Sequence, residues 1–212
     1  MATGGRTLAR VSVGTSGWSY PSWRPGFYPP GLDPSAFLAF YAERFRTVEL
    51  NTTRYRMPGP EQFRRWAEQA PDGFEFAPKL PGHRPNSFET FGAGARALGD
   101  RLGPVRVSLE SARDEGALEL ILGSLAPGLR VAFDLEHPSW DGIEERLADA
   151  GAVRVNDLEH PAPFRYLRRR EAPDEAFAER IRACAEPVYV YFRHEEEPTA
   201  PAYAAQLLSL LS

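Results

Sequence analysis

Lysine and cysteine are each nearly missing from this chain of 212 residues, with Lys79 and Cys184 as their single representatives. One cysteine excludes an internal disulfide framework and any cysteine-cluster metal site. Its position in the amphipathic stretch around residues 176–185 reads as a buried structural thiol rather than a nucleophile. The bias toward arginine leaves position 79 as the one side-chain amine able to titrate, which marks Lys79 for attention. Long apolar runs are missing too: none reaches the roughly 20 residues that a membrane span needs, and residues 1–10 have no signal-peptide core. A cytoplasmic protein with no membrane partner is therefore expected. There is no excess of positive charge, the formal net charge being -4. Nucleic acid is thus not favoured as a partner, and any cationic site must be concentrated locally. Neither Gly-x-Gly-x-x-Gly nor a P-loop follows the first strand-like run, and no His-Glu-x-x-His occurs.

What is present is a regular alternation. Strand-like runs fall at 9–13, 47–50, 74–79, 105–109, 130–135, 152–156, 164–168 and 187–192. Amphipathic stretches lie between them at 34–45, 60–69, 116–125, 140–150, 174–184 and 200–211. Strand and helix exchanging about eight times without a long linker predict one (β/α)8 TIM-type barrel domain over residues 1–212; an open doubly wound sheet is the alternative. At 212 residues the chain is shorter than the roughly 250 usual for such barrels, so some helices or loops must be abbreviated. The Gly- and Ala-rich stretch 84–103 and the gap between the sixth and seventh strands are the expected places.

Side chains alternate across a strand with period two, which sorts the polar residues onto one face. Glu49 goes with Asn51, Ala77 with Lys79, Ser108 with Glu110, Asp134 with Glu136, Val155 with Asp157, and Tyr166 with Arg168. The opposite faces are apolar, as positions beneath helices should be. Glu49, Asn51, Lys79, Asp134, Asp157 and Arg168 are therefore expected in one cavity at the C-terminal rim, where barrel active sites lie. Neighbouring strands also suggest that Lys79 pairs with Glu49 there. The loop after the first strand, Gly14-Thr-Ser-Gly-Trp-Ser-Tyr20 with Trp23 and Tyr28, adds flat aromatic faces that suit stacking on a base or sugar ring, or that plug the barrel top.

That loop, together with Phe27-Tyr28-Pro29, Tyr41, Phe45, Val48-Glu49-x-Asn51, Tyr55, Pro58, Trp66, Pro71, Phe74-x-Phe76 and Lys79, closely resembles the YecE-like family, a domain of unknown function (72). The resemblance is specific over residues 11–80. It continues in line through His137-x-Ser139-Trp140, Asp157, Arg168 and 188–192. It implies a TIM barrel and supplies no established reaction. The chain departs from the family's pattern where Ser108 replaces a glutamine and Glu136 an arginine. It departs again where Arg168-Arg169-Arg170-Glu171 replaces Arg-x-His-Gly, and where Arg193-His194 stands in place of an Asn pair. The charge of the pocket is altered accordingly.

Three chemistries suit these residues. The first is a site for a small phosphate- or nucleotide-like anion, with Arg168 and Arg170 after the seventh strand and His194 after the eighth. Arg168 is expected to be its strongest contact, as the remaining inward guanidinium. The second is a metal-assisted hydrolase or phosphoesterase, drawing on Glu49, Asp134, Glu136, His137 and Asp157 with His83, His160 or His194. The third is a carboxylate pair, Glu49 with Asp134 or Glu136, working on a sugar held against Trp18 and Tyr20. A non-catalytic ligand- or partner-binding barrel stands beside them. The candidate catalytic residues are Glu49, Asp134, Asp157 and Lys79. The candidate ligand-binding residues are Trp18, Tyr20, Trp23, Asn51, Tyr55, Glu136, His137, Arg168, Arg170 and His194. No residue set is assigned to a metal or a cofactor.

Overall fold

The computed structural model describes residues 11–51, 58–81, 91, 94–124, 128–194 and 198–212. Eight strands form one parallel sheet: β1 Val11–Ser16, β2 Thr47–Leu50, β3 Glu75–Pro81, β4 Val105–Leu109, β5 Val131–Leu135, β6 Ala152–Arg154, β7 Arg165–Arg169 and β8 Val188–Phe192. Each pairs with its neighbours in sequence except β6 with β7, and β1 pairs with β8, so the sheet curls into a nearly closed (β/α)8 barrel. Every expected strand is present. The helices include α1 Phe37–Ala42, α2 Pro60–Gln69, α3 Glu115–Gly123, α4 Glu144–Asp149, α5 Glu175–Ala183 and α6 Thr199–Leu211.

Local chemistry sets these boundaries. Asp114 and Asp174 accept from the backbone amides of Ala117 and Phe177 and so cap α3 and α5, while Pro60 opens α2 with its fixed φ. The helix expected over 140–150 starts late. His137 caps a 3-10 turn, Pro138–Trp140, and Gly142 at φ 79° breaks the chain before α4 begins. The abbreviation expected between β6 and β7 is real, since no helix lies there. Much of 84–103 lies outside the described residues. Cys184 ends α5 half-buried rather than buried, its thiol donating to the Arg180 carbonyl at 3.4 Å, and burial pushes the thiol pKa up.

At the β6–β7 seam a ladder is replaced by one residue. The Asn156 backbone N–H donates to the Tyr166 carbonyl at 2.9 Å, and its side-chain Oδ1 accepts from the Arg168 N–H at 2.7 Å. Its φ of 66° is the left-handed turn that ends β6 two residues earlier than expected. Asparagine tolerates that region better than most residues.

Two layers of side chains confirm the sorting by face. Val48, Leu50, Phe76, Val190 and Phe192 point outward under the helices. Ala77, Ala132, Val153, Phe164, Tyr166, Tyr189 and Tyr191 fill the barrel. The small alanines leave room for tyrosine rings from the facing strands, so the interior is packed rather than hollow. Gly14 explains a glycine in mid-strand, because a Cβ there would lie 2.0 Å from the Thr47 carbonyl oxygen. No helix among the described residues is long and apolar enough to cross a membrane.

Candidate functional site

Seven strand ends converge on a cavity of about 270 Å³ at the C-terminal mouth. Below the roughly 300–1,000 Å³ of clefts that hold drug-sized ligands, it suits a small molecule. Its lining is almost wholly polar: Ser16 and Tyr20 follow from β1, Asn51 from β2, Lys79 from β3, Arg106 and Glu110 from β4, Glu136 from β5, Arg168 from β7, and Arg193 and His194 from β8.

Under this mouth sits a buried charge cluster. Glu49 is fully buried, and its two oxygens accept from Arg168 Nε at 2.9 Å and Arg168 Nη2 at 3.0 Å, a bidentate fork. The Tyr166 hydroxyl donates to Glu49 at 2.9 Å and the Ser16 hydroxyl at 3.1 Å, while Arg106 Nε lies 3.4 Å away. Asp134 accepts from Arg106 at 2.5 Å and from Arg168 at 3.2 Å. Burial alone would raise the Glu49 pKa; Arg106 and Arg168 outweigh it and hold the carboxyl down at about 2. A carboxylate so acidic and so fully hydrogen-bonded is a poor general base near neutral pH. Its work is to fix the two guanidinium planes. Glu49 is thus committed to arginines, Tyr166 and Ser16.

Arg193 is different. Its guanidinium has no hydrogen bond or ion pair among the described residues, yet it lines the cavity. Burial lowers its pKa, and the nearby charges of Arg168, Arg170 and Arg106 lower it further, so the β7–β8 side of the mouth is positive. Beside it the His194 ring stacks on Tyr20 with centroids 3.6 Å apart. His194 Nδ1 accepts from Trp23 Nε1 at 3.1 Å. An indole N–H can only donate, so Nδ1 carries no proton and in the neutral ring the proton sits on Nε2.

A family model for proteins of unknown function, DUF72, matches residues 12–212. The chain belongs to the DUF72 family. It is 30% identical over 156 residues to the UPF0759 protein YecE of Escherichia coli strain K12, and the same holds for YecE of E. coli O157:H7. That match takes in 66% of this chain and 54% of the relative, so the chain spans about half the length of the curated relatives it matches. A DUF72 family protein from Enterococcus faecalis V583 has the same fold in two crystal structures. The one at 3.10 Å resolution gives a TM-score of 0.78 at 16% identity over 95% of both chains. The one at 2.52 Å gives 0.71 at 14% over 96% of this chain and 98% of that one.

This DUF72 barrel brings Asn51, Lys79 and Arg168 to its mouth beside Tyr20, Glu136 and His194, whereas Glu49 and Asp134, expected in the cavity itself, lie beneath it and hold Arg168. Other expected residues lie elsewhere. Asp157 turns away from the cavity to accept from the Glu159 and His160 amides and pair with the His160 ring at 3.2 Å, because the β6–β7 turn at Asn156 breaks the strand phase. Trp18 packs edge-on against Trp66 and near Phe76, and Trp23 is fully buried beside Phe27 and Tyr28, so both indoles belong to the core and, of these loop aromatics, Tyr20 reaches the mouth. Gly17, at φ 91°, turns the chain there, and a Cβ would collide with the Tyr20 hydroxyl. His137 spends its ring on the Ser139 amide, and Arg170 is exposed outside the lining. Tyr55 and His83 lie outside the described residues.

Among the described residues no three His, Cys, Asp or Glu side chains group to hold a metal. Arg106, inward on the same face as Ser108, corrects the idea that Arg168 is the one inward guanidinium, and Arg193 adds a third guanidinium. Period two could have found Arg106, whose neighbours Val105 and Val107 are plainly outward. Arg193 follows the end of β8, where phase no longer applies.

Proposed function

We propose that this protein binds a small, densely polar anion, of phosphate or phosphorylated-metabolite type, at the C-terminal mouth of its barrel. The carrying observation is Arg193, a guanidinium without a side-chain partner among the described residues, in a positive part of the cavity. In barrels the region after strands seven and eight frequently binds phosphate. A fork-shaped donor in a cleft suits phosphate or carboxylate oxygens. The His194 ring, held by Trp23 at Nδ1 and stacked on Tyr20, lines the same side of the cavity. Arg168 and Arg106 act through the field they create, since Glu49 and Asp134 already hold their hydrogen bonds.

The test is calorimetric titration of inorganic phosphate, a sugar phosphate and a mononucleotide at low ionic strength. Binding of at least one is expected, weakened about tenfold or more by Arg193→Ala, as for loss of a charged hydrogen bond. If none binds at millimolar concentration, the reading fails.

A further inference from the structure

Of the twenty-five lysines and arginines in this chain, twenty-four are arginine. Arginine is what the buried cluster uses for fixed positive charge, at Arg106 and Arg168. A guanidinium keeps its proton under ordinary conditions, whereas a lysine amine can lose one and become a nucleophile. The single exception, Lys79, stands at the cavity: it lines the mouth from β3 while only 5% exposed. Its neighbours in the sheet are Arg106 on β4, with which it is in register, and Asn51 on the β2 side, one step beyond the pair of Leu50 and Pro78. Adjoining strands lie about 4.8 Å apart. Lys79 is therefore buried beside a guanidinium, with a neutral amide on its other side. Burial and a neighbouring cation both favour the uncharged form of an amine, which is the reactive one. The carboxylates beneath the cavity, Glu49 and Asp134, are engaged by Arg106 and Arg168. An amine that donates a hydrogen bond keeps its lone pair, so such a bond does not block attack on an electrophile.

We propose that Lys79 is an amine nucleophile that forms an imine with a small phosphorylated aldehyde or ketone, whose phosphate meets Arg193. The phosphate contact rests on the anion-site reading above, and the carbonyl is what Lys79 adds to it. The Lys79 nitrogen lone pair forms the C–N bond, the carbonyl oxygen takes up the two amine protons and leaves as water, and a C=N bond remains. No electrons are gained or lost, and the ligand is the only co-reactant.

With one lysine in the chain, chemical trapping has a single side-chain target. The wild-type protein is incubated at neutral pH with dihydroxyacetone phosphate or ribose 5-phosphate and sodium cyanoborohydride, which reduces an imine to a stable secondary amine read by peptide mass. An adduct on Lys79 is expected with at least one probe. It should form about tenfold or more faster than on Nα-acetyl-lysine in the same reaction, a modest demand beside the effective molarities that positioned groups reach. Glycerol 3-phosphate, which has the phosphate and no carbonyl, should slow it, as should Arg193→Ala. Lys79→Arg should abolish the adduct while inorganic phosphate still binds. No adduct on Lys79, or one no faster than on Nα-acetyl-lysine, overturns the imine proposal; if inorganic phosphate nevertheless binds by calorimetry, the anion site stands without it. A fast adduct that neither glycerol 3-phosphate nor Arg193→Ala slows upholds the nucleophile and overturns the phosphate contact.

Discussion

Arginines 168 and 193 are chemically the same residue in opposite situations. Arg168 is the principal counter-charge of a carboxylate with no access to water, so Arg168→Ala strands much of a buried charge. Removing one partner of such a pair costs about 3–5 kcal/mol, and the survival of Arg106 places the expectation near about 3. Arg193→Ala should stay within about 0.5 kcal/mol of wild type while losing anion affinity. Urea unfolding of the two variants distinguishes them. The same cluster sets a pH signature. Because the folded pKa of Glu49 is depressed from 4.5 to about 2, its ionisation stabilises the fold above about 4.5 and that contribution disappears as pH falls toward about 2. Glu49→Gln should therefore be much less stable than wild type at pH 7, with the gap narrowing below pH 4.5. A gap as wide at pH 2.5 as at pH 7 would contradict the low pKa.

Among the elements, the short strand β6 depends most on a single side chain. Seven of the eight junctions in the ring are ladders, and the eighth is held by Asn156. Replacing it by alanine removes the acceptor for the Arg168 amide and puts a Cβ-bearing residue without a local hydrogen bond at φ 66°. Replacing it by glycine removes the acceptor but relieves the backbone. Asn156→Ala should thus be less stable than Asn156→Gly by about 1 kcal/mol, the cost of left-handed backbone for an ordinary residue. Both should speed hydrogen exchange at the Arg168 amide. Equal stabilities would show that the side-chain bond, and not the backbone conformation, dominates the seam.

For the whole molecule, the site and the barrel are one object, because the cavity is lined from seven of the eight strands. A ligand that fits it binds the closed ring and not the unfolded chain, so it should raise the thermal midpoint. At about 100-fold excess over its dissociation constant the gain is about 2.7 kcal/mol. The shift should fall to about half or less in Arg193→Ala at the same ligand concentration, because a tenfold weaker affinity leaves only about a tenfold excess. It should shrink at about 0.5 M sodium chloride, where charge interactions are screened beyond a few ångströms. A salt-insensitive shift would argue for a binding site away from the mouth.

The sequence by itself determined the alternation of elements, the barrel, and the inward face of Glu49, Lys79, Asp134 and Arg168. Burial repeats with period two in a strand and near 3.6 in a helix, so a ring of parallel strands writes its two faces directly into the residue order. It was legible for Arg106 on the same grounds, and its partnership with Glu49 and Asp134 was not, since register between strands is absent from a linear pattern. The tertiary structure alone decided that Trp18 and Trp23 plug the core while Tyr20 reaches the mouth, because a loop has no period to fix its side chains. It alone turned Asp157 away, through one left-handed residue at 156. It alone separated the arginine that holds the barrel together from the arginine left available to a ligand. That distinction depends on which carboxylate lies across three ångströms of space, and side chains that far apart in sequence meet only when the ring closes.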